Sequence, residues 1–187
     1  MRLAVFDYGA GNMHSLGKAL QAPGVTVSVE TDPRSLLAAD AIVFPGVGAF
    51  GAAAARLASA RAELAAALAS GMPCLGICLG MQLLFDASEE SPGSAGLGVI
   101  PGQVTRLRAS RVPHMGWNTV EGFGPAYFAH SYVCRPTDES VVTAWTVEEG
   151  DRFPSAVRWR NVVGVQFHPE KSSAPGVRFI QDFIGAV

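Results

Sequence analysis

Three short stretches hold residue types that together can open an amide bond. The first is Gly76-Ile77-Cys78-Leu79-Gly80, which follows the apolar run CLGI (Cys74–Ile77) and precedes the helical segment MQLLFDA. This is the form of a nucleophile elbow with cysteine in the serine position. Such a turn strains the backbone of its nucleophile, so the residues two away on either side must lack side chains. It lifts the sulfur to the carboxyl edge of a sheet, where open α/β folds bind ligands. A helix N-terminus behind the sulfur favours the thiolate. The plain alternative is a small core cysteine in a glycine-bearing turn.

The second stretch is His168-Pro169-Glu170, after the apolar run VVGVQF. Proline keeps the residue before it out of the helical region, so His168 is extended. Residues two apart in extended chain point to one side. Glu170 then reaches round Pro169 to the imidazole, fixing its tautomer and stabilising its protonated form. That is the base-and-orienter half of a triad. Alone, HPE reads as a turn with a solvated carboxylate; beside the elbow it completes a Cys–His–Glu set.

The third stretch is Pro45-Gly46-Val47-Gly48-Ala49-Phe50-Gly51, which spells GxGxxG. It follows the third strand rather than opening the fold, and the span twenty residues on, AAALASG, has no carboxylate for a ribose, so dinucleotide binding is rejected. Its exposed N–H groups, with that of Leu79, suit an oxyanion hole instead. Each such donor is worth roughly 2.7–4 kcal/mol to a tetrahedral intermediate.

These stretches need a scaffold, and the sequence supplies one. LAVF (Leu3–Phe6), VTVSV (Val25–Val29), AIVF (Ala41–Phe44) and CLGI read as buried strands. Helices are expected over Met13–Ala22, Pro33–Ala39 and Ala49–Ser70. Asp32 serves as N-cap with Pro33 at the first helical position. Leu57, Leu64 and Leu68 form a stripe that ends at Gly71, a residue suited to the C′ position. Alternating units of this length imply an α/β fold with a mostly parallel central sheet and flanking helices. From Val99 to Phe167 the segments QVTRL, YFAHSYVC, VVTAWTV, SAVRW and VVGVQF read as strands joined by tight turns such as Arg160–Asn161. They form an antiparallel extension of one domain spanning 1–187, since no linker divides the halves. A last helix, Pro175 to Ile184, carries Val177, Ile180 and Ile184 on one face.

Composition narrows the function. Fourteen basic against sixteen acidic side chains give a net charge of −2, which with no basic run disfavours nucleic acid or an anionic membrane as partner. With 49% apolar and 16% charged residues the chain is not disordered. Arg56, Arg61 and Glu63 break the most apolar stretch, and Asp7 interrupts any signal-peptide core, so a cytoplasmic protein is expected. Three cysteines, Cys74, Cys78 and Cys134, cannot build a disulfide framework, and four scattered histidines offer no metal site. No cofactor is expected.

GICLG, HPE and PGVG, in this order and across nearly the whole chain, resemble the class I (triad-type) glutamine amidotransferases. DYGAGN (Asp7–Asn12), PHMGWN (Pro113–Asn118) and HPEKS (His168–Ser172) are similar to one branch of that family, the glutaminase subunits of imidazole glycerol phosphate synthase in histidine biosynthesis. The resemblance implies that Cys78 attacks the glutamine carboxamide, that His168 transfers protons and that Glu170 orients His168. It implies Val47, Gly48 and Leu79 as the oxyanion segment, and Gly46, Gln82, Ser131 and Tyr132 as glutamine contacts. Gln82 lies one helical turn past Cys78, on the same face. The partner implied is a (β/α)8-barrel synthase that receives the ammonia, with Asn12, Trp117, Tyr132 and Lys171 at or near the interface. The link LRASRV looks short for the family, and Cys134 has no assigned role. The alternatives are a glutaminase subunit of another synthase, of the pyridoxal phosphate or anthranilate type, and a stand-alone cysteine hydrolase of related fold.

Overall fold

A computed structural model describes residues 1–9 and 13–187. The first half builds β1 (Arg2–Phe6), α1 (His14–Ala19), β2 (Thr26–Glu30), β3 (Ala41–Phe44), α2 (Phe50–Leu57), α3 (Arg61–Ala69), β4 (Cys74–Ile77) and α4 (Leu79–Gln82). The second half adds β5 (Ala87–Ser88), β6 (Gly102–Arg106), β7 (His114–Val120), β8 (Gly124–His130), β9 (Tyr132–Pro136), β10 (Val142–Glu148), β11 (Asp151–Trp159), β12 (Val162–Val165) and α5 (Ser173–Gly185). No helix among the described residues is long and apolar enough to cross a membrane.

The central sheet has seven strands in the order β10-β11-β12-β4-β3-β1-β2. β2, β1, β3, β4 and β12 run parallel, and β10–β11–β12 form the antiparallel extension. Alternation along the strands loads both faces. Ala4, Phe6, Ile42 and Phe44 point to the layer of α2 and α3, whereas Leu3, Val5, Val43, Leu75 and Ile77 pack with Leu16 of α1 and Ile180 and Ile184 of α5. Each of the valine, leucine, isoleucine and phenylalanine side chains contributes roughly 1.5–3 kcal/mol on full burial. β4 and β12 are neighbours, with Val165 paired to Ile77, so the segments that follow them emerge side by side at one sheet edge.

Several expected elements change form. Pro33–Ala38 is a 3-10 helix, capped by Asp32, whose side chain accepts the Arg34 N–H at 3.1 Å. The helix expected over Ala49–Ser70 is broken at Ala58–Ala60 into α2 and α3, yet Leu57, Leu64 and Leu68 are all buried and Gly71 takes the positive φ. The helix after Cys78 lasts one turn rather than covering MQLLFDA. The Leu84 and Phe85 N–H groups turn back three residues, and the chain enters β5. YFAHSYVC is two strands, because the chain leaves the β7–β8 hairpin at Ser131 and joins the separate β5-β6-β9 sheet. In α5 the buried stripe is Gly176, Ile180 and Ile184, while Val177 faces outward. A Cβ on Gly176 would strike the Pro169 carbonyl, and this close approach sets which face turns inward.

Candidate active site

The elbow at Cys78 is built by exclusion of side chains. Cys78 takes φ 48° and ψ −103°, a region that costs a non-glycine residue about 1–3 kcal/mol. The kink brings Gly76 and Gly80 so close that a Cβ on Gly76 would lie 2.7 Å from the Gly80 carbonyl carbon, and one on Gly80 would overlap the Phe44 carbonyl. The Cys78 N–H donates to the Val165 carbonyl at 2.7 Å, tying the elbow to β12. Leu79 opens the helical turn, so its N–H has no preceding turn to bind.

His168 leaves β12 extended, at φ −99° and ψ 96°, as Pro169 requires. Its Nδ1 lies 2.8 Å from Glu170 Oε1, and both side chains are largely buried. A carboxylate can only accept, so Nδ1 carries the proton and Nε2 is left to face the sulfur. Burial pulls the imidazole pKa down, but hydrogen bonds to Cys78 and to Glu170 override this and push it up to about 10. Gly46 sits against both groups: a Cβ there would lie 2.7 Å from His168 Cε1 and 3.0 Å from Cys78 Cβ. Cysteine, imidazole and carboxylate are thus brought together at the carboxyl ends of β4 and β12.

A cleft of about 290 Å³ opens beside the sulfur. Gly46, Gly48, Leu79, Gln82, Ser131 and Tyr132 of the expected residues line it, together with Met115, His130 and Glu90, of which sequence reasoning gave Glu90 no place. Val47 lies between two of these lining glycines. Gln82 is buried, and its Nε2 donates to the Tyr132 carbonyl at 3.0 Å. The same carbonyl accepts His130 Nδ1–H at 3.0 Å, so both its lone pairs are filled. His130 Nε2 then accepts from His114 Nδ1 at 3.1 Å. Burial, and then the charge of His114, hold the His130 pKa down at about 3, which keeps this imidazole neutral.

Two of the residues expected at a partner interface share Tyr127 as a neighbour. Trp117 is 55% exposed on β7 and meets Tyr127 edge to face at 6.2 Å, and Lys171 Nζ lies 5.9 Å from the same Tyr127 ring. Tyr132 is half-buried at the cleft. Asn12 lies outside the described residues. Of two missed residues, one had a signal. Gln166 is a lone amide in the apolar run VVGVQF, and a fully buried amide needs partners. Glu90 had none; it lies in the turn after β5, and its Oε2 accepts the Phe50 N–H at 2.8 Å, at the start of α2.

A cysteine elbow, an imidazole and a carboxylate on the edge of this parallel sheet define a class. Residues 4–186 match the glutamine amidotransferase class-I family, and the chain belongs to it. Its fold matches the structure of PurLQS from Thermotoga maritima with a TM-score of 0.74, at 20% identity over 99% of this chain and 98% of that one. Its relatives in sequence include subunits of imidazole glycerol phosphate synthase. It is 43% identical to the imidazole glycerol phosphate synthase subunit HisH of Pyrococcus furiosus, over 97% of both chains. It is 45% identical to that of Moorella thermoacetica, over 97% of this chain and 93% of the other.

Proposed function

We infer that the protein is the glutaminase subunit of an imidazole glycerol phosphate synthase, acting in histidine biosynthesis in the cytoplasm. The observation that carries the chemistry is the line from Glu170 Oε1 through His168 to Cys78 beside an open cleft. A raised imidazole pKa next to a sulfur favours a thiolate–imidazolium pair at neutral pH, which is the reactive state of the nucleophile.

The thiolate adds to the carboxamide carbon of glutamine. Backbone N–H groups of the Gly46–Gly48 segment and of Leu79 stabilise the oxygen anion that forms. The C–N bond breaks as the His168 imidazolium gives its proton to the leaving nitrogen, releasing ammonia and a γ-glutamyl thioester. Neutral His168 then takes a proton from water as it attacks the thioester, and collapse expels the thiolate beside a reprotonated imidazole. Glu170 holds the ring in one tautomer throughout. Gln82, Ser131 and Tyr132 fix the substrate, and Glu90 supplies a carboxylate for its α-ammonium group.

Ammonia has to pass on unprotonated, and the receiver in this reading is a (β/α)8-barrel synthase. Exposed Met115 and Trp117, with Tyr127 and Lys171 beside them, offer a mixed apolar and cationic face near the cleft for that partner. The test is glutamine hydrolysis by the chain alone, with the barrel synthase, and with the synthase plus its nucleotide substrate. The expected result is little turnover alone and a rise of at least about 100-fold in the liganded complex, from ordering of the oxyanion donors. Equal rates in all three mixtures would favour a stand-alone hydrolase.

A further inference from the structure

Gln166 is fully buried just after β12, in a run otherwise filled by Val163, Val165 and Phe167. An unpaired amide is costly there, and an apolar side chain would fill the space without that cost. The amide is not unpaired. Its Nε2 lies 3.5 Å from Cys78 Sγ, and its Oε1 accepts from Gln82 Nε2 at 3.4 Å. Gln166 and His168 both reach the sulfur from the short segment that follows β12.

Which end of each amide faces which partner is fixed by a carbonyl. The Tyr132 carbonyl can only accept, so Gln82 must present its NH2 there. The second hydrogen of that NH2 points to Gln166, which therefore turns its oxygen to Gln82 and its own NH2 to Cys78. We propose that Gln166 is a positioning residue for the Cys78 sulfur, donating an N–H to the thiolate in an orientation set by the Tyr132 carbonyl through Gln82.

A donor on ionised sulfur is a charge-assisted hydrogen bond, stronger than one to a neutral thiol. The bond therefore holds the sulfur in place and favours its ionised form, while His168 stays free for proton transfer. Because Gln82 and Tyr132 line the glutamine cleft, the orientation of the donor is tied to the residues around the substrate.

The inference rests on Cys78 being the nucleophile, and its test reads the sulfur without glutamine. The rate of Cys78 alkylation by iodoacetamide is followed against pH in the full chain, for wild type, Gln166→Met and Gln166→Glu. Met removes the amide at similar length and without charge; Glu keeps an acceptor for Gln82 but puts oxygen where the donor was. Both variants should raise the alkylation midpoint by about one pH unit, and in complex with the synthase lower kcat about tenfold with KM for glutamine within about twofold. In the wild type, the side-chain amide proton of Gln166 should shift in NMR spectra with that same midpoint, and stop titrating in Cys78→Ala. An unmoved midpoint in either folded variant, or an amide proton that does not follow the sulfur, would overturn the proposal. If neither variant folds, the wild-type amide signal decides alone. Failure of the nucleophile assignment itself looks different: Cys78→Ala would still consume glutamine.

Discussion

The backbone N–H of His168 donates to the carbonyl of Tyr127 at 2.8 Å, so the imidazole is anchored to the hairpin that carries Trp117. Ser172 closes the link: its buried hydroxyl accepts the Tyr127 N–H at 2.9 Å and donates to the His168 carbonyl at 2.7 Å. Ser172→Ala leaves the Tyr127 N–H without that acceptor. It should cost about 1–3 kcal/mol of stability in urea unfolding, with a loss of glutamine turnover beyond what the stability change explains.

Gly46 is the tightest point between imidazole and sulfur. In Gly46→Ala the new methyl would have to displace His168 Cε1 or Cys78 Cβ. Circular dichroism should show the fold intact, and glutaminase kcat should fall about 100-fold, since a misplacement near 1 Å costs that much. Retained activity would mean that the two groups do not need their present spacing.

The raised pKa of His168 has a consequence for stability. Its value is about 10 against an ordinary 6.5, with burial lowering it and the bonds to Cys78 and Glu170 outweighing that. The protonated form is thus preferred in the folded state. This stabilisation is fully present below about pH 6.5 and is lost as pH rises through about 10. Cys78→Ala removes the stronger of the two raising bonds. Its urea midpoint should change less between pH 6.5 and 10 than that of the wild type.

Trp117 is largely exposed, so its truncation should hardly touch the fold. Trp117→Ala should change the chain's own stability by less than about 0.5 kcal/mol. In titration calorimetry with the barrel synthase it should weaken the complex by about 2 kcal/mol, near 30-fold, as expected of an aromatic anchor at an interface.

How much of this was legible depends on how local the constraint is. Gly76, Gly80 and Pro169 act on their own neighbours, so the elbow and the extended His168 could be read from spacing. The parallel strands could be read because burial on both faces leaves continuous apolar runs. β7 was not legible as a strand, since HMGWNTV alternates exposed Met115, Trp117 and Thr119 with His114, Gly116 and Asn118 rather than with apolar residues. His114 and His130 face each other across the hairpin and satisfy one another, a pairing that exists only once β7 meets β8. The break at Ser131 and the role of Gln166 have the same origin: each depends on a partner more than thirty residues away in sequence or in another sheet.

The central claim is that the Cys78 sulfur attacks glutamine and that ammonia leaves for a partner. The most direct measurement uses Cys78→Ala in complex with the barrel synthase, assayed once with glutamine and once with ammonium salt as nitrogen source. Product formation from glutamine should vanish while formation from ammonia equals that of the wild type. Persistent glutamine-dependent formation would contradict the account.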